Sequence, residues 1–380
     1  MKPIQLFAIV GAFLLSVYGC AQEPKVTIEI NRNIEMGGLA YFLAFEAPDL
    51  VITEDSAYSD SGVPDINKKY AFAFHMCHRY RHMLDMPELV RFRDISYPLD
   101  YDVFFQLFLM LDDFPNASFP KNLDLKYYEA FSDTGDPQEA KEGLIEFIQI
   151  MNAITKRVDM EKYFVDNKKY YDQLISELNT TIDYGQLVKD MEVFYQQSFD
   201  QYKMVPGLLI PPGSGYGIKL ESESQTTIHN IFGALDHQHR INSEIINLGF
   251  TNTRRLRELT IHEFGHSFAN HLVDELPTEL MEKSTPLFTP IKADMQMSGY
   301  YSWNTALKEH LVRAGEIIIS ADYDPVGSGN LKNHYIDDLG FIYLPIIIDK
   351  LKEYQLGEYD TYEDAMHASL KSIEQQNLSK

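Results

Sequence analysis

The sequence predicts an α+β fold, mostly helical with a small sheet, and three observations carry that prediction. Helical apolar patterns dominate residues 66–202, strand-like runs crowd into residues 203–235, and helical patterns return from residue 254 toward the end of the chain. Strands gathered in one stretch between helical stretches do not make the regular alternation of a parallel α/β sheet; they make α+β order.

The first element is a leader. Lys2 precedes an apolar run over residues 6–15, followed by Ser16-Val17-Tyr18-Gly19-Cys20. That layout predicts a signal peptide over residues 1–19, too short to span a membrane. Val17, Gly19 and Cys20 resemble the lipobox of bacterial lipoproteins, with Tyr18 where a smaller residue is usual. The resemblance implies that Cys20 is lipidated and becomes the mature N-terminus. It places the protein in the cell envelope, lipid-anchored at the bacterial outer membrane and facing periplasm or surface. An ordinary secreted protein with an incidental Cys20 is the alternative.

Cysteine usage agrees with that reading. The chain has 2 cysteines, so with Cys20 lipidated Cys77 has no intramolecular partner and the fold rests on its core. Cys77 lies in an apolar stretch, residues 70–80, where a buried inert thiol is expected.

The formal charge of the 380-residue chain is -23, and losing Lys2 with the leader makes it -24. A chain this acidic repels phosphate backbones, so nucleic acid is excluded as a partner and cationic or neutral substrates are favoured.

The rest divides by texture into a mainly helical region over residues 20–202, a core over residues 203–320 and a helical region over residues 321–380. Residues 25–30 alternate like a short strand, and residues 34–45 read as an apolar helix interrupted at Gly37-Gly38. Residues 204–210, 216–220 and 226–235 read as strands, separated by Pro211-Pro212-Gly213 and a turn over residues 221–224. Helices are expected over residues 254–276, 304–320 and 333–354, and from residue 362 onward.

Within the first of these helices residues 262–266 read His-Glu-Phe-Gly-His. Positions i and i+4 share one helix face, so His262 and His266 can grip one metal ion while Glu263 points about 100° away, as general base toward a metal-activated water. Zinc is the expected ion, since it acidifies water to roughly pKa 7 and so prepares it to attack an amide carbonyl. Ile261, Phe264, Phe268, Ala269, Leu272 and Leu276 form one apolar arc, with both histidines at its border. A border position lets a side chain leave the core and face a cleft.

Strands leading into a His-Glu-x-x-His helix, with helices after it, resemble the zincin metallopeptidases over roughly residues 203–320. The resemblance implies a small mixed sheet packed on the active-site helix, an edge strand along the cleft, and a third metal ligand downstream. The metzincin branch is excluded, because Ala269 and Leu272 stand where its glycine and third histidine would. Thr285 stands where thermolysin-like and aminopeptidase-like enzymes have their glutamate. A gluzincin-like pattern with longer spacing remains, in an uncharacterised lipoprotein family.

The best candidate for that glutamate is Glu309, at the apolar border of a helix predicted to be well buried, where a carboxylate needs a partner. Arg313, one turn on, is a possible orienting residue; a plain Glu309/Arg313 ion pair is the bland alternative. Glu279, Glu282, Asp294 and Glu316 are the fallback ligands. Tyr300, Tyr301 or His310 could stabilise an oxyanion. Residues 226–235 are the expected edge strand for an extended peptide. Gly233-Ala234-Leu235-Asp236-His237 dimly resembles a segment with which one aminopeptidase family anchors a substrate amine.

The resulting expectation is a lipid-anchored zinc-dependent peptidase acting on peptide or protein substrates, with metal ligands His262, His266 and Glu309 and base Glu263. A non-catalytic lipoprotein on the same scaffold and a zinc hydrolase of a non-peptide amide are the alternatives.

Overall fold

The computed structural model describes residues 25–49, 71–97, 99, 101–120, 123, 129–179, 182–222, 224–241 and 244–378. The expected leader 1–19 and the lipidation site Cys20 lie outside the described residues. The fold is α+β, mostly helical with a small mixed sheet.

The chain enters through strand β1 (Val26–Ile28) and helix α1 (Arg32–Tyr41), whose first turn is capped by Asn31 accepting from the Ile34 N–H. Helices α2 (Ala71–Tyr80), α3 (Pro87–Ser96), α4 (Tyr101–Met110), α5 (Pro137–Val158), α6 (Met160–Asn179) and α7 (Tyr184–Tyr195) follow. The expected interruption at Gly37-Gly38 does not occur; α1 runs through both glycines. A β-carbon at Gly37 would lie 2.2 Å from the Phe108 ring of α4, and one at Gly38 would lie 2.7 Å from the Leu209 carbonyl oxygen. These glycines admit close neighbours rather than a bend. Cys77 on α2 is fully buried, and burial pushes its thiol up to about 11.

The four-stranded sheet has the order β1-β2-β4-β3, built from β2 (Gln201–Pro206), β3 (Gly215–Glu221) and β4 (Thr226–Phe232). The β1/β2 and β2/β4 pairs are parallel and β3/β4 is antiparallel. The strand expected over residues 204–210 starts earlier and leaves the sheet after Pro206, where Glu35 accepts the Leu208 N–H at 3.0 Å. The expected edge strand is also corrected. β4 lies inside the sheet, with Ile228 to Phe232 buried on both faces, whereas β3 buries only Ile218 and forms the edge. A continuous buried run marks a strand covered on both faces. A second, two-stranded sheet of β5 (His239–Ile241) and β6 (Glu244–Asn247) was not expected from the sequence.

The C-terminal half comprises α8 (Thr253–Asp274), α9 (Thr278–Ser284), α10 (Lys292–Met297), α11 (Trp303–Ala321), α12 (Pro325–Asn333), α13 (Leu344–Gln355) and α14 (Tyr362–Leu378). The single helix expected over residues 333–354 is broken at Gly340, whose φ of 76° is left-handed and whose β-carbon would lie 2.5 Å from Asp294 Cβ. One contiguous apolar core runs from Ile34 to Ile373. The helix pair α8/α11 passes through it, with α8 pressed against β3 and β4.

Candidate metal centre

α8 starts at Asn252, whose side chain accepts from the Arg255 N–H, and continues unbroken through the His-Glu-x-x-His segment. Ile261, Phe264, Phe268 and Ala269 are fully buried, and His262 and His266 sit beside them, half-buried at the border of that face. α11 starts at Ser302, which caps the Thr305 N–H, and buries nearly every residue from Ala306 to Ser320. Glu309 and Glu316 are only 3 % and 2 % exposed there, which for carboxylates demands specific partners.

The two helices bring three donors together. The Nε2 atoms of His262 and His266 are 3.3 Å apart, Glu309 Oε1 is 3.4 Å from His262 Nε2, and Glu309 Oε2 is 3.7 Å from His266 Nε2. Ligand bonds of 2.0 to 2.1 Å at tetrahedral angles put neighbouring donors about 3.3 Å apart, so these side chains form a group that could hold a metal ion. Glu309 Oε1 lies 2.6 Å from Arg313 Nη2, an ion pair without the angles of a hydrogen bond, so this buried oxygen has no hydrogen-bond partner among the described residues. The group is held from behind. His262 Nδ1 is 3.1 Å from Glu316 Oε2, and the Tyr335 hydroxyl donates to both Glu316 oxygens at 3.2 and 3.0 Å. His266 Nδ1 is 3.3 Å from Asn270 Oδ1. Each of these oxygens faces an Nδ1, which turns the Nε2 atoms of both rings toward one another and toward Glu309.

The electrostatics favour a cation at this point. Burial opposes charge on His262, but Glu309 and Glu316 outweigh it and push that imidazole up to about 9. Burial and the neighbouring His262 take His266 down to about 4. Burial would raise Glu309, yet Arg313 and the two histidines pull it down to about 2, so it stays ionised. Arg313 is fixed by stacking its guanidinium 4.1 Å over the Tyr335 ring and 4.8 Å over the Phe341 ring.

Glu263, one step along α8, lies under the edge strand. A β-carbon at Gly217 would be 2.0 Å from the Glu263 carbonyl oxygen, and one at Gly215 would be 2.6 Å from its Oε1. Glycine at both positions is what lets β3 lie directly on the helix. The nearby Gly217 backbone and His262 pull the Glu263 carboxyl down, but burial dominates and raises it to about 7. All of these groups line one open cleft of about 800 Å³, bounded by β3 on one side and by Tyr300, Arg313 and Tyr335 on the other.

The remaining sequence candidates separate cleanly. Glu279, Glu282 and Asp294 are exposed and lie outside the group, and Glu316 stands behind His262. Tyr300 lines the cleft within 3.4 Å of Arg313 Nη2, and burial raises its phenol above the ordinary value, so it is a neutral donor. Tyr301 is 72 % exposed and absent from the lining. His310 is a core histidine: its Nδ1 meets the Ala306 carbonyl at 2.7 Å and its ring packs on Phe341 and Tyr343. Asp236 is exposed, bonded to Asn252, and does not face the cleft. The sequence reading missed Glu316 as the partner of His262, although Glu309, Arg313 and Glu316 at i, i+4 and i+7 share one helical face. It also missed Asn270 and Tyr335.

Comparison with known proteins adds a family. The family described as Domain of unknown function (DUF4932) matches residues 26–365. No curated protein and no solved structure matches the chain.

Proposed function

The chain belongs to the family described as Domain of unknown function (DUF4932), and from that premise we propose that it is a zinc-dependent peptidase of zincin-like, gluzincin-like architecture. The observation that carries the reading is the convergence of His262, His266 and Glu309 beside an additional buried carboxylate, Glu263, in an open cleft.

Two imidazoles and a carboxylate with room for a further ligand are the donor set of hydrolytic zinc. When bound, zinc supplies Lewis acidity for water and carbonyl activation. Two histidines and one carboxylate also serve non-haem iron, but that chemistry has no use for a carboxylate adjacent to the first histidine. Glu263, a buried carboxylate one step from His262 in the same cleft, would take a proton from water at Oε1 or Oε2 and hand it to a leaving amine. Tyr300, neutral and hydrogen-bonded to Arg313, is placed to donate to a developing oxyanion. Arg313 orients the Glu309 carboxylate, and Glu316 and Asn270 orient the two imidazoles. Edge strand β3 offers backbone groups to an extended peptide across the cleft.

The proposal extends to location. The lipobox-like segment ending at Cys20 supports a lipid anchor in the cell envelope, and no helix among the described residues is long and apolar enough to cross a membrane. The deciding experiment measures metal content of the purified chain together with cleavage of a broad peptide library. One zinc per chain and chelator-sensitive cleavage are expected. Stoichiometric iron, or zinc with no hydrolysis of any peptide, would reject the peptidase reading.

A further inference from the structure

Beyond His262 the cleft holds a carboxylate that neither the metal group nor the base uses. Glu258 is on α8, four residues before His262, so it lines the same cleft about 6 Å further along the helix axis. Its side chain is 15 % exposed, and it pairs with Arg254, itself 50 % exposed, at 3.9 Å. A pair that long and that open to water holds the carboxylate weakly. Arg255 also lines the cleft, but its guanidinium donates to the Leu235 carbonyl at 2.7 Å. Leu235, Leu259 and Leu331 line the cleft as well, so apolar wall and carboxylate occur together. Burial, assisted by Glu316 and Asp324, outweighs both Arg254 and Arg255 and raises the Glu258 carboxyl to about 7; an incoming cation relieves that cost.

We infer that Glu258 is a specificity residue of this cleft and accepts the cationic side chain of a lysine or arginine in the substrate. The combination fits such a residue: an aliphatic stem lies along leucines while the charged head reaches the carboxylate. The reach also fits. A lysine side chain extends about 6 Å from its Cα, comparable to the offset of Glu258 from His262, whereas the α-amine beside a reacting carbonyl stays within about 3 Å of it. The net charge of -23 would draw cationic peptides toward the cleft.

The inference rests on the peptidase reading for the fate of the substrate, but its binding half can be measured separately. The full chain, zinc-loaded, and its Glu258→Gln, Glu258→Asp and Glu258→Lys variants are titrated with Nα-acetyl-lysinamide and Nα-acetyl-norleucinamide. The same proteins are given quenched peptides, N-acetylated or free, with Lys, Arg, norleucine or Glu varied at each position. Wild type should favour Lys and Arg over norleucine by about 10- to 100-fold, as charge-assisted pairing implies. Glu258→Gln should bring that ratio near 1, Glu258→Asp should keep part of it, and Glu258→Lys should turn the preference to Glu. Zinc stoichiometry reports whether each variant is folded, and a reversed preference cannot come from a collapsed protein. Absence of cation preference in wild type, or its persistence in Glu258→Gln, overturns the inference. So does a preference confined to peptides with a free N-terminus, which would assign Glu258 to the α-amine. Residue-258-dependent binding without cleavage of any peptide would uphold Glu258 and reject the peptidase reading alone.

Discussion

His262 Nδ1 and Glu316 Oε2 stand 3.1 Å apart across the α8/α11 packing, although 54 residues separate them in the chain. Glu316 is in turn fixed by the Tyr335 hydroxyl, so the orientation of one imidazole depends on two further elements of the fold. Replacing Glu316 by Ala should lower metal affinity by about 10- to 100-fold with all three donors intact, while Glu316→Gln, which can still accept from Nδ1–H, should lose less. Competition against a chromogenic chelator measures both. Equal affinity in all three proteins would remove Glu316 from the site.

Glu263→Gln should retain the metal and lower hydrolysis by about 100- to 10,000-fold, the usual contribution of a general base. Metal content and single-turnover rates separate the two effects. Unchanged turnover would take Glu263 out of the mechanism.

Gly217→Ala tests the contact between edge strand and helix. The new methyl would fall 2.0 Å from the Glu263 carbonyl oxygen, a backbone atom that no rotamer change can move aside. Overpacking of this kind costs about 1 to 3 kcal/mol, and more where backbone must shift. Urea unfolding should show the loss, with reduced metal affinity alongside. Full stability in the variant would mean that β3 and α8 are not held this close in solution.

The helices α8 and α11 were legible because their apolar arcs are local and periodic, and Glu309 was legible because a carboxylate on such an arc has few explanations. Sheet order was not, since the pairing of β2 with β4 rather than β3 joins segments that no local pattern links. The inner position of Ile228 to Phe232 was hidden for the same reason, because the buried His229 and Asn230 interrupt its apolar pattern. Gly37-Gly38 misled for a related reason: the groups that require small residues there, Phe108 and Leu209, come from distant parts of the chain.

Stability should depend on Glu35, which is fully buried, accepts the Tyr171 hydroxyl at 2.9 Å and the Leu208 N–H at 3.0 Å, and is raised by burial to about 7. The native state therefore holds this proton where the unfolded chain has lost it. The contribution of Glu35 is complete below pH 4.5 and is lost progressively as pH rises from there through about 7. The buried His229 and His310, both lowered to about 4, act with the opposite sign below pH 6.5, so the comparison must be with Glu35→Gln. The stability difference, wild type minus variant, should shrink by about 1 to 3 kcal/mol from pH 4.5 to 7.5. A pH-independent difference would contradict this.

Cys20→Ser tests the proposed anchor. In cells the wild-type protein should fractionate with membranes and carry lipid, and the variant should appear in the soluble fraction. A wild-type protein already soluble, with an N-terminus other than residue 20, would reject it.

Two of the three donors sit one turn apart on α8, and the third arrives on α11, the helix packed against it. A chain whose helices have parted keeps a bidentate histidine pair and nothing more, so the ion should escape nearly as soon as the two helices separate. Release of metal into excess chelator would then run at the pace of that separation, and its half-life would serve as a clock for the opening of the native state, readable without denaturant or any substrate.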